Sequence, residues 1–153
     1  MPQESATPRI LMIAGPNGVG KTTVTPRILK QAYDIAEWVN ADVIARGLSG
    51  LQPEAAAWQA GRVMIDRLRE LAGERQSFAF ETTLSGRSYY KWIEELRLTG
   101  YEFHLYYVTV ESADMCVARV ARRVRAGGHH VPDEVVRRRY SASLRNSSNS
   151  IGR

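Results

Sequence analysis

Cysteine and long apolar runs are scarce in this sequence of 153 residues. The one cysteine, Cys116, excludes an internal disulfide and a cysteine-based zinc cluster, and it fits a reducing compartment. The longest apolar run, Ile10–Ala14, is too short for a membrane span or for the apolar segment of a signal peptide. We therefore predict a cytoplasmic protein without a membrane segment, in which residues 1–8, polar with two prolines, form a disordered tail.

Lysine is also rare, because arginine supplies most of the positive charge behind the net charge of +5. Before Glu111 there are twelve basic and twelve acidic residues, whereas the remainder holds nine arginines and four acids. Such a segment is typical of a solvated surface or of nucleic-acid binding. Arginine also binds phosphoryl oxygens through two parallel hydrogen bonds, so this segment could close over a triphosphate.

The three tryptophans, Trp38, Trp58 and Trp92, fall on strand or helix faces that need a core. Their spacing does not form the surface stripe on which bases stack, so we predict core positions for all three. This argues against nucleic acid as a partner.

Residues 15–22, GPNGVGKT, fit the phosphate-binding pattern G-x-x-x-x-G-K-[ST]. The apolar run before them predicts a buried strand, and Thr22–Ala32 predicts a helix, which is the context that a phosphate loop requires. Lys21 is expected to reach the β- and γ-phosphates, and Thr22 to bind Mg²⁺. The predicted nucleotide-binding residues are Gly15, Pro16, Asn17, Gly18, Val19, Gly20, Lys21, Thr22 and Thr23.

Strand and helix patterns alternate along the chain, which predicts an α/β fold with a parallel sheet covered by helices on both faces. The strands are expected near residues 10–14, 37–40, 77–81 and 101–110, and later helices at 53–73, 88–99, 113–126 and 132–144. We predict one P-loop kinase domain at residues 9–145, a sheet of about four to five strands, and a frayed tail at 146–153.

Polar residues follow the predicted strands at the edge where ligands of parallel sheets bind. Asn40 and Asp42 follow the second strand, and Glu81 and Thr83 follow the third. Asp42 is the candidate general base for an attacking hydroxyl, although it could instead cap the segment after it. Glu81 could hold a substrate hydroxyl or a magnesium-bound water.

The helix predicted at 113–126 has two faces. Val117, Val120 and Val124 lie along one side, and Arg119, Arg122 and Arg123 lie along the other. The pattern fits a lid whose arginines meet the transferring phosphate, and it fits an amphipathic surface helix equally well. The consecutive arginines at 137–139 point in different directions and give a weaker signal.

Several ordered motifs together resemble the zeta-toxin family of P-loop kinases, including its stand-alone members. The matching stretches are Ala14–Thr22, Val39–Ala45, Phe78–Gly86, Arg119-Val120 with Arg123-Val124, Gly127–Pro132 and Arg138–Tyr140. The likeness covers about residues 10–144, and the combination is far more specific than the phosphate loop alone.

The resemblance implies a kinase that uses ATP or GTP with Mg²⁺ and whose best-known acceptor is UDP-N-acetylglucosamine. By position, Asp42 resembles the catalytic base, Lys21 the phosphate clamp, and Arg119 and Arg123 the arginines at the triphosphate. Asn40, Asp42, Glu81 and Thr83 resemble substrate contacts, while His129 matches the Gly-Gly-His element. A small helical antitoxin is the protein partner that the resemblance implies.

Members of this family continue further past the position of Tyr140, with another strand expected. We therefore expect a sheet with one edge exposed, which invites pairing with a second copy of the chain. The alternatives to a small-molecule kinase are a kinase or NTPase acting on RNA or nucleotide ends, and a nucleotide-binding regulatory module with little catalysis.

Overall fold

Four parallel strands form the centre of the molecule in a computed structural model that describes residues 6–128 and 130–151. The strands are β1 (Arg9–Ala14), β2 (Glu37–Val39), β3 (Phe78–Thr82) and β4 (Glu102–Tyr107), and their order across the sheet is β2-β3-β1-β4. Residues 10–14 of β1 are fully buried because the strand has neighbours on both sides and helices on both faces. The predicted parallel α/β fold is confirmed.

Within the described part of the chain, six α-helices cover the two faces of this sheet. They are α1 (Lys21–Ile28), α2 (Ala41–Leu48), α3 (Ala57–Gly73), α4 (Ser88–Leu98), α5 (Ala113–Arg125) and α6 (Asp133–Ile151). A π-helical turn, Leu29–Tyr33, extends α1, and a 3₁₀ turn, Pro53–Ala56, leads into α3. Leu68 of α3 and Ile93 of α4 pack on one face of the sheet, and Leu29 packs on the other, which makes three layers. The described helices include none with the length and apolar character of a membrane span.

Helix α2 was not predicted, and it places residues of the site. Asn40 begins it as a side-chain cap, because its Oδ1 accepts hydrogen bonds from the backbone N–H groups of Asp42 (2.8 Å) and Val43 (3.3 Å). Asp42 therefore does not cap the helix; it stands exposed in its first turn. Its carboxylate is available for chemistry.

The carboxyl-terminal helix is longer than expected, and the prediction of a frayed tail is wrong for residues 146–151. The side chain of Asn146 donates to the carbonyl of Leu84 (2.7 Å), and Tyr90 donates its hydroxyl to the carbonyl of Asn146 (3.0 Å). Ser147 is buried one residue further on. These contacts hold the end of α6 against the loop that follows β3; residues 1–5, 152 and 153 lie outside the described residues.

The prediction that all three tryptophans are core residues is wrong for Trp58, whose exposed fraction is 75%. The buried stripe of α3 is Ala60, Met64, Leu68 and Leu71, and Trp58 lies off it in the first turn. Its ring packs against the Arg62 guanidinium instead. Trp38 and Trp92 are partly buried against the core, as expected.

Candidate active site

The phosphate loop, residues 15–22, joins β1 to α1 and needs glycine at two positions for steric reasons. A Cβ on Gly15 would lie 2.1 Å from the carbonyl oxygen of Val108, and one on Gly18 would lie 2.8 Å from that of Cys116. Gly18 also has a φ of +80°, which side chains disfavour. The loop is therefore pressed between β4 and α5, and its backbone path is fixed by neighbouring backbone.

Lys21 turns back across the mouth of this loop. Its Nζ donates to the carbonyl oxygens of Gly15 (2.7 Å) and Pro16 (2.9 Å). Burial lowers the pKa of the ammonium to about 8, against the opposing attraction of Glu81 and Asp42. An arriving polyphosphate would give this ammonium anionic partners in place of two neutral carbonyls, and would raise its pKa again.

Glu81, at the end of β3, is the centre of a buried hydrogen-bond network. Its Oε2 accepts from the hydroxyl of Thr22 (3.1 Å) and from the amide of Asn40 (2.9 Å), and its Oε1 lies 2.6 Å from the hydroxyl of Thr25. Burial raises the pKa of the Glu81 carboxyl, although the hydrogen bonds of both threonines and the charge of Lys21 oppose the rise.

The hydroxyl of Thr25 has a single proton but two acceptors, the Lys21 carbonyl oxygen at 2.8 Å and Glu81 Oε1 at 2.6 Å. A protonated Glu81 satisfies both contacts, because its O–H donates to Thr25 while Thr25 donates to Lys21. The geometry thus agrees with the raised pKa of Glu81 in the nucleotide-free protein.

Most of the predicted site residues meet in one cleft of about 270 Å³. Asp42 enters it from the first turn of α2, Glu81 from the end of β3, and Arg119 and Arg123 from α5. The phosphate loop and the start of α1 supply the rest of the lining: Asn17, Gly18, Gly20, Lys21, Thr22 and Thr23. The cleft therefore combines a phosphate loop, two carboxylates and two guanidinium groups.

Other predicted residues do not line this cleft. Gly15, Pro16 and Val19 are buried within the loop, and Asn40 is buried with its amide bonded to Glu81 and its oxygen capping α2. The Thr83 hydroxyl lies 2.9 Å from that of Ser85 in the loop after β3. His129 lies outside the described residues.

Helix α5 packs on the tip of the phosphate loop. Val19 of the loop is 5% exposed and joins a cluster with Cys116 and Val120 of α5 and with Val136 of α6. The apolar side of α5 thus rests on the loop, while Arg119 and Arg123 line the cleft. This arrangement unites the two alternatives left open by the sequence: α5 is amphipathic, and its polar side faces the predicted phosphate site.

Arg139 of α6 was missed as a site residue. Its Nη1 donates to Asn17 Oδ1 in the phosphate loop at 3.2 Å. Burial lowers the pKa of this guanidinium, and so does nearby Arg138, while the attraction of Asp42 opposes the shift. The available signal was helical spacing, since Arg139 shares the inward side of α6 with buried Val136 and Ser143 at i−3 and i+4.

The residues of the cleft fit a magnesium nucleotide. The described residues include no group of three or more histidine, cysteine or acidic side chains that would hold a metal ion alone. Thr22 and Glu81 supply a hydroxyl and a carboxylate to the cleft. Mg²⁺ suits such a sparse set of oxygen donors, because phosphates and waters complete its coordination.

Comparison with known proteins shows the family of this chain. Residues 10–144 match the model of the AAA_33 family, which is described as an AAA domain. An uncharacterized protein from Haemophilus influenzae is 29% identical over 132 residues, which are 86% of this chain and 92% of that protein.

Solved structures with the same fold are more distant in sequence. The AvrRxo1-ORF1:-ORF2 structure with ATP matches with a TM-score of 0.73 and 17% identity, over 97% of this chain and 51% of that chain. The PezAT toxin-antitoxin system of Streptococcus pneumoniae matches with a TM-score of 0.67 and 18% identity, over 96% of this chain and 66% of that one. The chain thus spans between half and two thirds of these proteins. Its fold is that of a P-loop kinase-like domain. Because the AAA_33 model matches residues 10–144, which is most of the chain, this protein belongs to the AAA_33 family.

Proposed function

We propose that this protein is a phosphotransferase that moves the γ-phosphate of ATP or GTP to a hydroxyl group of a small acceptor. The observation that carries the proposal is the position of Asp42. Its carboxylate lines the same cleft as Lys21 and Thr22 of the phosphate loop. A P-loop NTPase that only hydrolyses nucleotide needs a positioned water, whereas a kinase needs a base for an acceptor hydroxyl.

In this mechanism the acceptor hydroxyl lies between Asp42 and the γ-phosphorus. The bond from the acceptor oxygen to phosphorus forms as the bond to the β,γ-bridging oxygen breaks, and the hydroxyl proton passes to Asp42. Lys21 from the phosphate loop and Arg119 and Arg123 from α5 neutralise the charge of the transferring group. Mg²⁺, bound beside Thr22, would supply further charge neutralisation when the nucleotide is present.

Asn40 and Glu81 form hydrogen bonds that help to position Asp42 and Thr22. Because Asn40 caps α2 with its oxygen and donates its amide to Glu81, one side chain links the backbone of Asp42 to the carboxylate of Glu81. Glu81 in turn accepts from Thr22, so the metal-binding hydroxyl is tied to the same network. We propose that Asn40 acts by positioning, and that Thr83 contacts the acceptor from the loop after β3.

For the acceptor we propose a nucleotide sugar of the UDP-N-acetylglucosamine type, as the zeta-toxin resemblance implies. The likeness to the PezAT toxin-antitoxin system supports that choice at the level of fold. The test incubates the protein with labelled ATP or GTP and separate nucleotide sugars, nucleosides and RNA ends. Labelled product that requires a nucleotide sugar supports the proposal; nucleotide consumption without any acceptor favours the NTPase alternative, and labelled RNA favours the end-processing alternative.

Replacing Asp42 by Asn tests the base directly. We expect turnover to fall about 10²- to 10⁴-fold, because the amide cannot accept the hydroxyl proton, with nucleotide affinity little changed. Asp66 is a matched control, since it is also an aspartate on a helix but is outside the residues that line the cleft. Near-wild-type turnover of Asp42→Asn would remove this residue from the mechanism.

Two protein partners follow as proposals. The AvrRxo1 and PezAT structures are complexes or systems of two proteins, which supports an antitoxin-like partner for this chain.

β4 is an edge strand, and a groove of about 540 Å³ along it is lined by Phe103, Leu105 and Tyr107. We propose that a second copy pairs at this edge, which a measurement of mass in solution tests.

A further inference from the structure

Three consecutive arginines on α6 have three different environments. Arg137 pairs with Asp114 of α5, and Arg138 is exposed. Arg139 is half-buried and reaches the phosphate loop, where its Nη1 donates to Asn17 Oδ1. The three residues are identical in the sequence, but only Arg139 is oriented toward the phosphate loop.

The Arg139 guanidinium contacts the phosphate loop at Asn17, close in sequence to the carbonyls that hold the lysine. Lys21 Nζ is bonded to the carbonyls of Gly15 and Pro16, the two residues that precede Asn17. Arg139 also interacts electrostatically with Asp42 on the acceptor side of the cleft. The guanidinium therefore contacts the loop whose carbonyls hold Lys21, and its charge is attracted by Asp42.

The helix holds Arg139 in this position through contacts on either side of it. Val136, three residues before, is fully buried in the cluster that contains Val19 of the loop. Tyr140 donates its hydroxyl to the carbonyl of Val110 (2.9 Å), and Ser143 lies 3.1 Å from the Tyr107 hydroxyl. Arg139 is thus delivered by a rigid element, which lowers the entropy cost of its contact with a ligand.

Its present hydrogen bond is weak compared with the one that a phosphate would offer. The acceptor in the nucleotide-free protein is a neutral amide oxygen at 3.2 Å. A phosphoryl group carries charge, and two of its oxygens accept parallel hydrogen bonds from a guanidinium, which is a stronger contact. We propose that Arg139 is a third phosphate-binding arginine, which transfers from Asn17 to a γ-phosphoryl oxygen when the triphosphate binds.

This inference rests on the proposed function and adds a specificity to it. A group that contacts the γ-phosphate binds the triphosphate and not the diphosphate product. Arg139 therefore favours substrate over product, and its contact is lost after transfer. Arg119 and Arg123 approach from α5, so Arg139 adds a cation from a separate helix.

The experiment measures the affinities for a non-hydrolysable ATP analogue and for ADP, each with Mg²⁺, by calorimetry. We expect Arg139→Ala to weaken the triphosphate analogue about 10- to 100-fold and ADP less than about threefold, the loss expected for one charge-assisted contact to the γ-phosphate. Arg139→Lys keeps the positive charge but cannot form two parallel hydrogen bonds, so its affinity for the triphosphate analogue should lie between those of wild type and Arg139→Ala. Arg138→Ala, the exposed neighbour, serves as the matched control and should leave both affinities near wild type.

Asn17→Ala separates the ligand role from a structural one. It removes the tether but keeps the guanidinium, so the preference for triphosphate over diphosphate should persist. An equal loss of both nucleotides in Arg139→Ala, no loss of either, or the same loss of preference in Asn17→Ala would overturn the inference. Wild-type protein that binds neither nucleotide would instead defeat the proposed function. The melting temperature of each nucleotide-free variant identifies any variant that fails to fold. If Arg139→Ala fails to fold, the affinities of Arg139→Lys for the two nucleotides decide the question.

Discussion

The lowered pKa of Lys21 predicts that nucleotide binding weakens as the solution becomes alkaline. In the nucleotide-free protein this pKa is about 8, because burial disfavours the ammonium. A bound polyphosphate favours the charged form and moves the pKa up again. Above about pH 8 the free protein must therefore take up a proton to bind, and each further pH unit weakens binding by up to about tenfold.

The magnitude follows from the fraction of Lys21 that is already charged. Between pH 7.5 and 9.5 that fraction falls about 25-fold for a pKa of about 8, and the apparent association constant should fall by the same factor. Calorimetry with ADP in two buffers of different ionisation enthalpy checks this directly. At pH 9 it should detect an uptake of nearly one proton for each nucleotide bound.

Lys21→Arg is the control, because a guanidinium stays protonated throughout this range. The variant should bind more weakly at pH 7.5 but show little decline at pH 9.5. Equal pH dependence in wild type and variant, or a wild-type affinity that stays constant to pH 9.5, would refute the assignment of the proton to Lys21. The same linkage makes the nucleotide-free wild type more stable relative to Lys21→Arg as the pH rises from about 8 to 10.5, since the unfolded chain keeps the proton there.

Two further predictions concern the network and the loop. Glu81→Gln should leave the free energy of unfolding at pH 7 unchanged or about 1 kcal/mol higher, because the amide can donate to Thr25 and accept from Thr22 without a buried charge, yet turnover with Mg²⁺ should fall. Gly18→Ala should destabilise the fold by about 1–3 kcal/mol more than Gly127→Ala, since both have positive φ but only Gly18 would strike a backbone atom, the Cys116 oxygen.

Urea unfolding measures both changes. For Glu81, the raised pKa means that wild-type stability relative to the Gln variant declines as the pH rises from the ordinary carboxyl range through the folded-state value. A pH-independent difference would contradict the burial argument. For Gly18, equal destabilisation by the two alanines would mean that α5 moves aside at no cost, and that the loop tip is not held by the helix.

The sequence predicted the sheet and the phosphate loop because both depend on local pattern. Burial on both faces makes β1 a continuous apolar run, and a phosphate loop requires its residues at fixed spacing. Asp42 and Glu81 could be placed in one site from topology alone, since the carboxyl ends of parallel strands meet at one edge. The structure puts both in the cleft, and their chemical roles stay predictions.

The features that the sequence did not reveal depend on contacts between distant segments. Helix α2 has only eight residues, one of them Gly47, so its helical pattern spans a short window, and its cap Asn40 also serves Glu81. The tail at 146–151 is rich in serine, yet it is helical because Asn146 bonds to Leu84 in the loop after β3. Polar composition predicted disorder there because composition does not show that Asn146 bonds to a residue 62 positions away in the sequence.

Helix α6 connects these observations into one account of the site. Its Val136 packs in the cluster that holds Val19 of the phosphate loop, its Arg139 bonds to Asn17, and its Asn146 holds Leu84, whose backbone has a φ of +53°. A buried leucine in that conformation is strained by about 1–2 kcal/mol, and the surrounding contacts must maintain it. The same helix thus supports the loop that would receive the triphosphate and the loop that carries Thr83. Because α6 contacts both loops, it helps to hold them in a fixed relative position, which a reaction that joins two substrates would require of its scaffold.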